Sequence, residues 1–244
     1  MIRAIDFFCG GGGMTYGLRN AGIEVVAGVD LAKDCRTTYE SNNAGSRFVC
    51  ADIKELPLNY FENEFGIQRN DDELLFVGCS PCQYYSIINT TKEKSIMSKD
   101  LLLDFMRFVE YYNPGFILVE NVPGLLSRED SAFPEFIQFL NTHDYQVKYD
   151  VVNMSYYGVP QTRRFSLVAS RLGEVRMPEK DSRQKLLSEF IGTKRGLKNI
   201  PAGYIDSTDF MHSTMKLAPI NMSRLLRTSK NGGSRIEWKD DEKI

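Results

Sequence analysis

The chain has 244 residues, 42% of them hydrophobic and 25% charged, which suits one α/β domain with an ample core, alone or with a small appendage. It contains no run of about 18 apolar residues, and its N-terminus passes straight into a strand-like stretch with no signal-peptide pattern, so no membrane span and a cytoplasmic location are expected. The net charge of -2 excludes an overall polycation, but residues 1–160 carry 13 Lys and Arg against 22 Asp and Glu, while residues 161–244 carry 17 against 10; a basic C-terminal third marks either a polyanion-facing surface or a solvated face.

In chain order, the apolar residues 2–8, the helically spaced residues 12–21 and the apolar residues 24–30 predict a strand, a Gly-rich turn, a helix and a second strand. Residues 48–51 predict a short strand and residues 74–78 a buried one. Leu101, Phe105, Val109 and Tyr112 fall on one helical face, which Asn113-Pro114-Gly115 ends. Residues 116–119 predict another buried strand, residues 133–140 a helix capped by Ser131, and residues 146–152 and 165–170 two more strands. Strands alternating with helices predict an α/β fold with a mostly parallel sheet. Ligands then bind at the carboxyl ends of the strands, after Phe8, Val29, Gly78, Val119 and Asn153. Beyond residue 171 the pattern weakens, with short helices expected within 186–223 and a loop at 231–235. The expected organisation is a catalytic domain over 1–175 and a basic extension over 176–244.

The first candidate site is the run Gly10-Gly11-Gly12-Gly13. A dinucleotide fingerprint needs a third glycine where this chain has Thr15 or Tyr16, and a P-loop needs a lysine where it has Leu18. Both phosphate cradles fail. What remains is a tight turn followed by Asp30, an acid able to accept from ribose hydroxyls, with Asp52 placed to reach an adenine. A nucleoside without phosphates, S-adenosylmethionine, fits; a purely structural turn also fits.

The five cysteines, Cys9, Cys35, Cys50, Cys79 and Cys82, are odd in number and confined to the first third of the chain, which is no secreted disulfide framework. With two histidines, His143 and His212, far apart in sequence, no histidine metal site is expected. In Gly78-Cys79-Ser80-Pro81-Cys82-Gln83 the cysteine pair reads as a redox motif, as half a zinc site, or as one nucleophile on a Pro-stiffened loop beside a buried Cys79. Glu120, closing an apolar strand, is an acid/base partner or a paired surface acid. Arg163 and Arg164, in Gln161-Thr162-Arg163-Arg164, suit phosphate or base-edge contacts, or ordinary surface charge.

Taken in order, these motifs resemble the cytosine-5 DNA methyltransferase family. Asp6, Phe8, Gly10, Gly12 and Gly13 match its D-x-F-x-G-x-G-G; Pro81-Cys82-Gln83, followed by Ser86, Glu120-Asn121-Val122 and Gln161-Thr162-Arg163 match the next three motifs. The match covers about residues 1–170; His212, Asn221, Arg224 and the stretch 232–238 look like the segment before the target-recognition region of bacterial members. The resemblance implies a Rossmann-like methyltransferase fold with helices on both faces. It implies S-adenosylmethionine as cofactor, held by Phe8, Gly10, Gly11, Gly12, Gly13, Asp30, Leu31, Asp52, Ile53, Pro81 and Leu101, and no metal.

The implied catalytic set is Cys82 as nucleophile on a flipped-out cytosine, Glu120 at the ring, and Arg163 and Arg164 holding the nucleotide, with the loop through residues 90–94 closing over double-stranded DNA. The family loop reads Gln-x-Arg-x-Arg; here Phe165 stands at the second arginine unless a one-residue deletion gives that role to Arg164. The chain reaches Ile244 before the family's target-recognition region and closing motif, so a second polypeptide is expected to bring them. The same residues also suit a subunit without activity or an RNA methyltransferase.

Overall fold

The computed structural model describes residues 1–81, 100–127, 131–161, 164–191, 196–198, 200–208 and 213–229. They fall in two compact units, Met1–Lys185 and Leu186–Ile244. The apolar runs of the first unit become strands β1 (Arg3–Phe7), β2 (Glu24–Asp30), β3 (Arg47–Cys50), β4 (Leu74–Gly78), β5 (Phe116–Asn121), β6 (Gln146–Val152) and β7 (Arg164–Ser170). They form one sheet in the order β3-β2-β1-β4-β5-β7-β6. The first five strands pair in parallel, whereas β7 runs antiparallel to both β5 and β6. The sheet is therefore mixed: mostly parallel, as expected, with a reversed edge.

Among the described residues the α-helices of this unit are α1 (Gly13–Asn20), α2 (Arg36–Asn42), α3 (Tyr60–Phe65), α4 (Leu101–Tyr112), α5 (Gly124–Ser127) and α6 (Phe133–Thr142). Alternation along β1 divides the core. Ile5 and Phe7 join Phe61, Phe105 and Phe136 from α3, α4 and α6 on one face. Ala4 joins Leu18 of α1 on the other. The Phe7 ring meets Phe61, Phe76, Phe105 and Phe108 with centroids 5.2–5.5 Å apart. Aromatic pairs of this kind add about 0.5–1.5 kcal/mol each beyond the area they bury. This knot anchors the strand that ends in the glycine turn.

Helix ends follow the sequence signals. Asn113 closes α4 in the left-handed region at φ 46°, and its side chain donates to Asn70 Oδ1 at 2.8 Å. Ser131 Oγ accepts from the Phe133 N–H at 3.1 Å at the start of α6. The second unit holds a 3-10 turn at Leu187–Glu189 and α7 (Pro219–Arg227), which has no buried residue. Among the described residues no helix is long and apolar enough to cross a membrane.

Candidate active site

The chain leaves β1 through an unusual backbone. Phe8 sits at φ 62°, Gly10 at 50° and Gly12 at 87°, a region costly for a residue with a side chain. The glycines divide by purpose. A Cβ on Gly12 would overlap Asn43 and Tyr39, and one on Gly28 would lie 2.5 Å from the Tyr39 ring. Those two positions are bare because Tyr39, fully buried on α2, packs beneath the turn. A Cβ on Gly10 or Gly13 would meet nothing within 4 Å, so there the backbone faces open space.

Asp30 ends β2 beside that opening. Its Oδ2 accepts from the Gly10 N–H at 2.8 Å and its Oδ1 from the Ala32 N–H at 2.8 Å. A carboxylate has about four acceptor positions, so lone pairs remain for ribose hydroxyls. Leu31, 68% exposed, follows it. Asp52 lies just beyond β3 and accepts from the Lys54 N–H at 2.9 Å. Ile53 differs from a side-chain ligand: its side chain is in the core, and its carbonyl accepts from Arg107 at 3.2 Å. Leu101 opens α4 and packs against the core, and Pro81 is half-buried. Open backbone, a free acceptor edge on Asp30 and the lack of a phosphate cradle fit a nucleoside such as S-adenosylmethionine. Among the described residues no His, Cys, Asp and Glu group is placed to hold a metal.

Against the turn opens a cleft of about 470 Å³, lined among others by Asp6, Phe8, Gly13, Cys79, Glu120 and Arg164. Glu120 and Arg164 face each other across β5 and β7, with Oε1 and Nη1 3.2 Å apart. Alternation along β7 puts Arg164 there, because Phe165, Leu167 and Ala169 are fully buried. Phe165 is thus a core residue, and Arg164 is the side chain that reaches the cleft. The Gln161 amide, turned with its oxygen toward the guanidinium, accepts from Arg164 Nε at 2.6 Å and Nη2 at 3.0 Å. Burial pushes the Glu120 carboxyl above the usual carboxylate range, and Arg164 partly offsets this. Glu120 is therefore poised to hold a proton more readily than a free carboxylate.

Cys79 is a different kind of cysteine. Burial pushes its thiol well up, with Asp6 and Glu120 adding to the effect, so it stays a neutral packing residue. Next to it, Asn121 Nδ2 donates to the Ser80 carbonyl at 3.1 Å and to Ser80 Oγ at 3.0 Å, while its Oδ1 accepts from the Val122 N–H at 2.8 Å. This clamp fixes the backbone that leads to Pro81 and Cys82. Cys82, Arg163, His212, the loop through residues 90–94 and the stretch 232–238 lie outside the described residues.

Two groups escaped the sequence reading. One is the Asn121–Ser80 clamp, whose signal is a polar residue at the buried end of an apolar strand. The other is a buried chain of hydroxyls: Thr15 Oγ1 donates to Asp6 Oδ2 at 2.6 Å and lies 3.1 Å from Tyr39 Oη, which lies 2.6 Å from Ser46 Oγ. Thr15 occupies the place where a dinucleotide fingerprint would carry its third glycine.

This site can be set beside known proteins. The family model for C-5 cytosine-specific DNA methylases matches residues 2–241. The chain belongs to that family. Members use S-adenosylmethionine. The chain is 32% identical over 242 residues to the type II methylase M.HgiDII of Herpetosiphon aurantiacus, a match covering 97% of this chain and 66% of that protein. It is 31% identical over 162 residues to the type II methyltransferase M.MthTI of Methanothermobacter thermautotrophicus, covering 65% of this chain and 46% of that one. Among solved structures, the fold resembles a DNA modification methyltransferase encoded within an E. coli prophage, at TM-score 0.63 and 23% identity, over 84% of this chain and 57% of that one. It also resembles the Entamoeba histolytica methyltransferase EhMeth, at TM-score 0.63 and 19% identity, over 86% and 64%. The chain therefore spans between about half and two thirds of the length of these relatives.

Proposed function

We propose that this chain methylates carbon 5 of cytosine in double-stranded DNA, with S-adenosylmethionine held at the glycine turn and Asp30. The observation that carries the reading is the Glu120–Arg164 pair in a cleft whose other wall is that same turn. A base in this cleft has been flipped out of its duplex, because the ring is otherwise stacked and inaccessible. Bound S-adenosylmethionine supplies an electrophilic methyl group.

The remaining chemistry belongs to the chain's own residues. The Cys82 thiolate adds to carbon 6 of cytosine, and the double-bond electrons make carbon 5 nucleophilic. Glu120, its proton affinity raised by burial, holds or donates a proton at ring nitrogen 3 while that electron shift occurs. Arg164 orients Glu120 and the ring, and Arg163 grips the nucleotide. Once carbon 5 carries the methyl group it loses its proton to water, the electrons of that bond expel Cys82 as thiolate, and the proton at nitrogen 3 returns to Glu120. The asparagine clamp on Ser80 holds the start of the Cys82 loop.

The test is transfer of labelled methyl from S-adenosylmethionine to duplex DNA. Cys82→Ala abolishes transfer while the circular dichroism spectrum is kept; a variant that still methylates refutes the nucleophile.

A further inference from the structure

One buried ionisable group is not used by the mechanism above. Asp6 lies in the central strand β1 and is 0% exposed. Its Oδ2 is held by Thr15, but its Oδ1 has no hydrogen-bond partner. Among the described residues no cation pairs with it. Burying a carboxylate with one oxygen unpartnered is expensive, and a fold has no packing reason to do so. The groups around it deepen the deficit. Asp30 from β2 adds like charge, and Thr15 from α1 offsets burial with its hydrogen bond. Cys9 in the turn, Tyr39 on α2 and Cys79 after β4 stay neutral, their protons held by burial and by Asp6 itself. In the same cleft stand Glu120 and Arg164, and Arg164 is engaged by Glu120 and Gln161.

The site is thus a negative pocket short of one positive charge. The family's cofactor carries a sulfonium cation, and its spent form, S-adenosylhomocysteine, carries a neutral thioether at the same atom. The methyl group passes to a base in the cleft that Asp6 lines, so the sulfur belongs beside that cleft. Resting on the function proposed above, we infer that Asp6 is the counter-charge of the sulfonium: it makes the pocket prefer the charged cofactor over the neutral product. It is a specificity-determining residue that lets the spent cofactor leave.

The two ligands share the adenosine and the amino-acid end, so comparing them isolates the sulfur. Calorimetric titration of the full chain with each ligand at pH 8 is the test. In Asp6→Asn, affinity for S-adenosylmethionine falls about tenfold, the size expected of one unit charge several ångströms away in a partly screened site. Affinity for S-adenosylhomocysteine changes less than about twofold. Burial pushes the Asp6 carboxyl up to about 7, so in the wild-type chain the preference for the cation fades from pH 8 to pH 6 as Asp6 takes up a proton. In Asp6→Asn it is flat. Thr15→Val, a second variant for the case that Asp6→Asn does not fold, removes the donor to Oδ2 and moves that fade to higher pH. Equal losses for both ligands, or a wild-type preference that does not change with pH, overturn the inference. A wild-type chain that binds neither ligand overturns the proposed function instead.

Discussion

Removing the amide of Asn121 tests whether the end of β5 holds the backbone at Ser80. Asn121 is 2% exposed and Ser80 6%. Asn121→Ala deletes two donations to Ser80 and the acceptor for the Val122 N–H. At about 1 kcal/mol net for each lost bond, the variant is destabilised by about 3 kcal/mol. With a urea slope of about 2–3 kcal/mol/M for a chain of this size, the unfolding midpoint falls by about 1 M with the slope unchanged. Ser80→Ala removes one acceptor and costs about 1 kcal/mol. Because that bond is already absent in Asn121→Ala, the double variant is less destabilised than the sum, by about 1 kcal/mol. An unchanged midpoint for Asn121→Ala, or strict additivity in the cycle, refutes the clamp.

Two further outcomes follow from the cleft. Arg164→Ala removes the charge that partly offsets burial at Glu120, so the Glu120 proton is held to higher pH. The alkaline limb of the pH–rate profile moves up, while the maximal rate falls by up to about a hundredfold as Glu120 loses its orientation. A limb that stays in place or moves down contradicts the pairing. Iodoacetamide at pH 8, followed by peptide mass mapping, modifies the exposed Cys50 while the buried Cys9 and the half-buried Cys79, whose thiols are both pushed up by desolvation, stay unmodified. Early modification of Cys79 refutes its role as a packing residue.

Much of the first unit was legible because its central strands are buried on both faces and read as apolar runs. Residues 74–78, all buried, are the clearest case. The reversed edge was not legible: residues 146–152 and 165–170 announce strands, but direction is decided by distant pairing, such as Val119 opposite Leu167. The place of Arg164 was within reach, since apolar residues at 165, 167 and 169 already put position 164 on the other face. Tyr39 was hidden, because a single aromatic in the polar helix Arg36–Asn42 gives no period. Its meaning comes from Gly12 and Gly28, which it touches from far away in sequence. Asp6 was visible as a motif letter, but its missing partner emerges only when Thr15 and the cleft are placed around it.

The two edges of the sheet carry a consequence for how the protein behaves in bulk. Edge strands left bare invite pairing between molecules. Here β3 has four residues, and its Arg47 is engaged by Glu64 at 2.7 Å and lies over the Phe65 ring at 4.3 Å. At the other edge, β6 exposes Lys148 and Asp150 between its apolar positions. One edge is short and occupied, and the other is charged with both signs. Edges of these two kinds give a second copy of the chain little to pair with, so crowding alone does not join sheet to sheet.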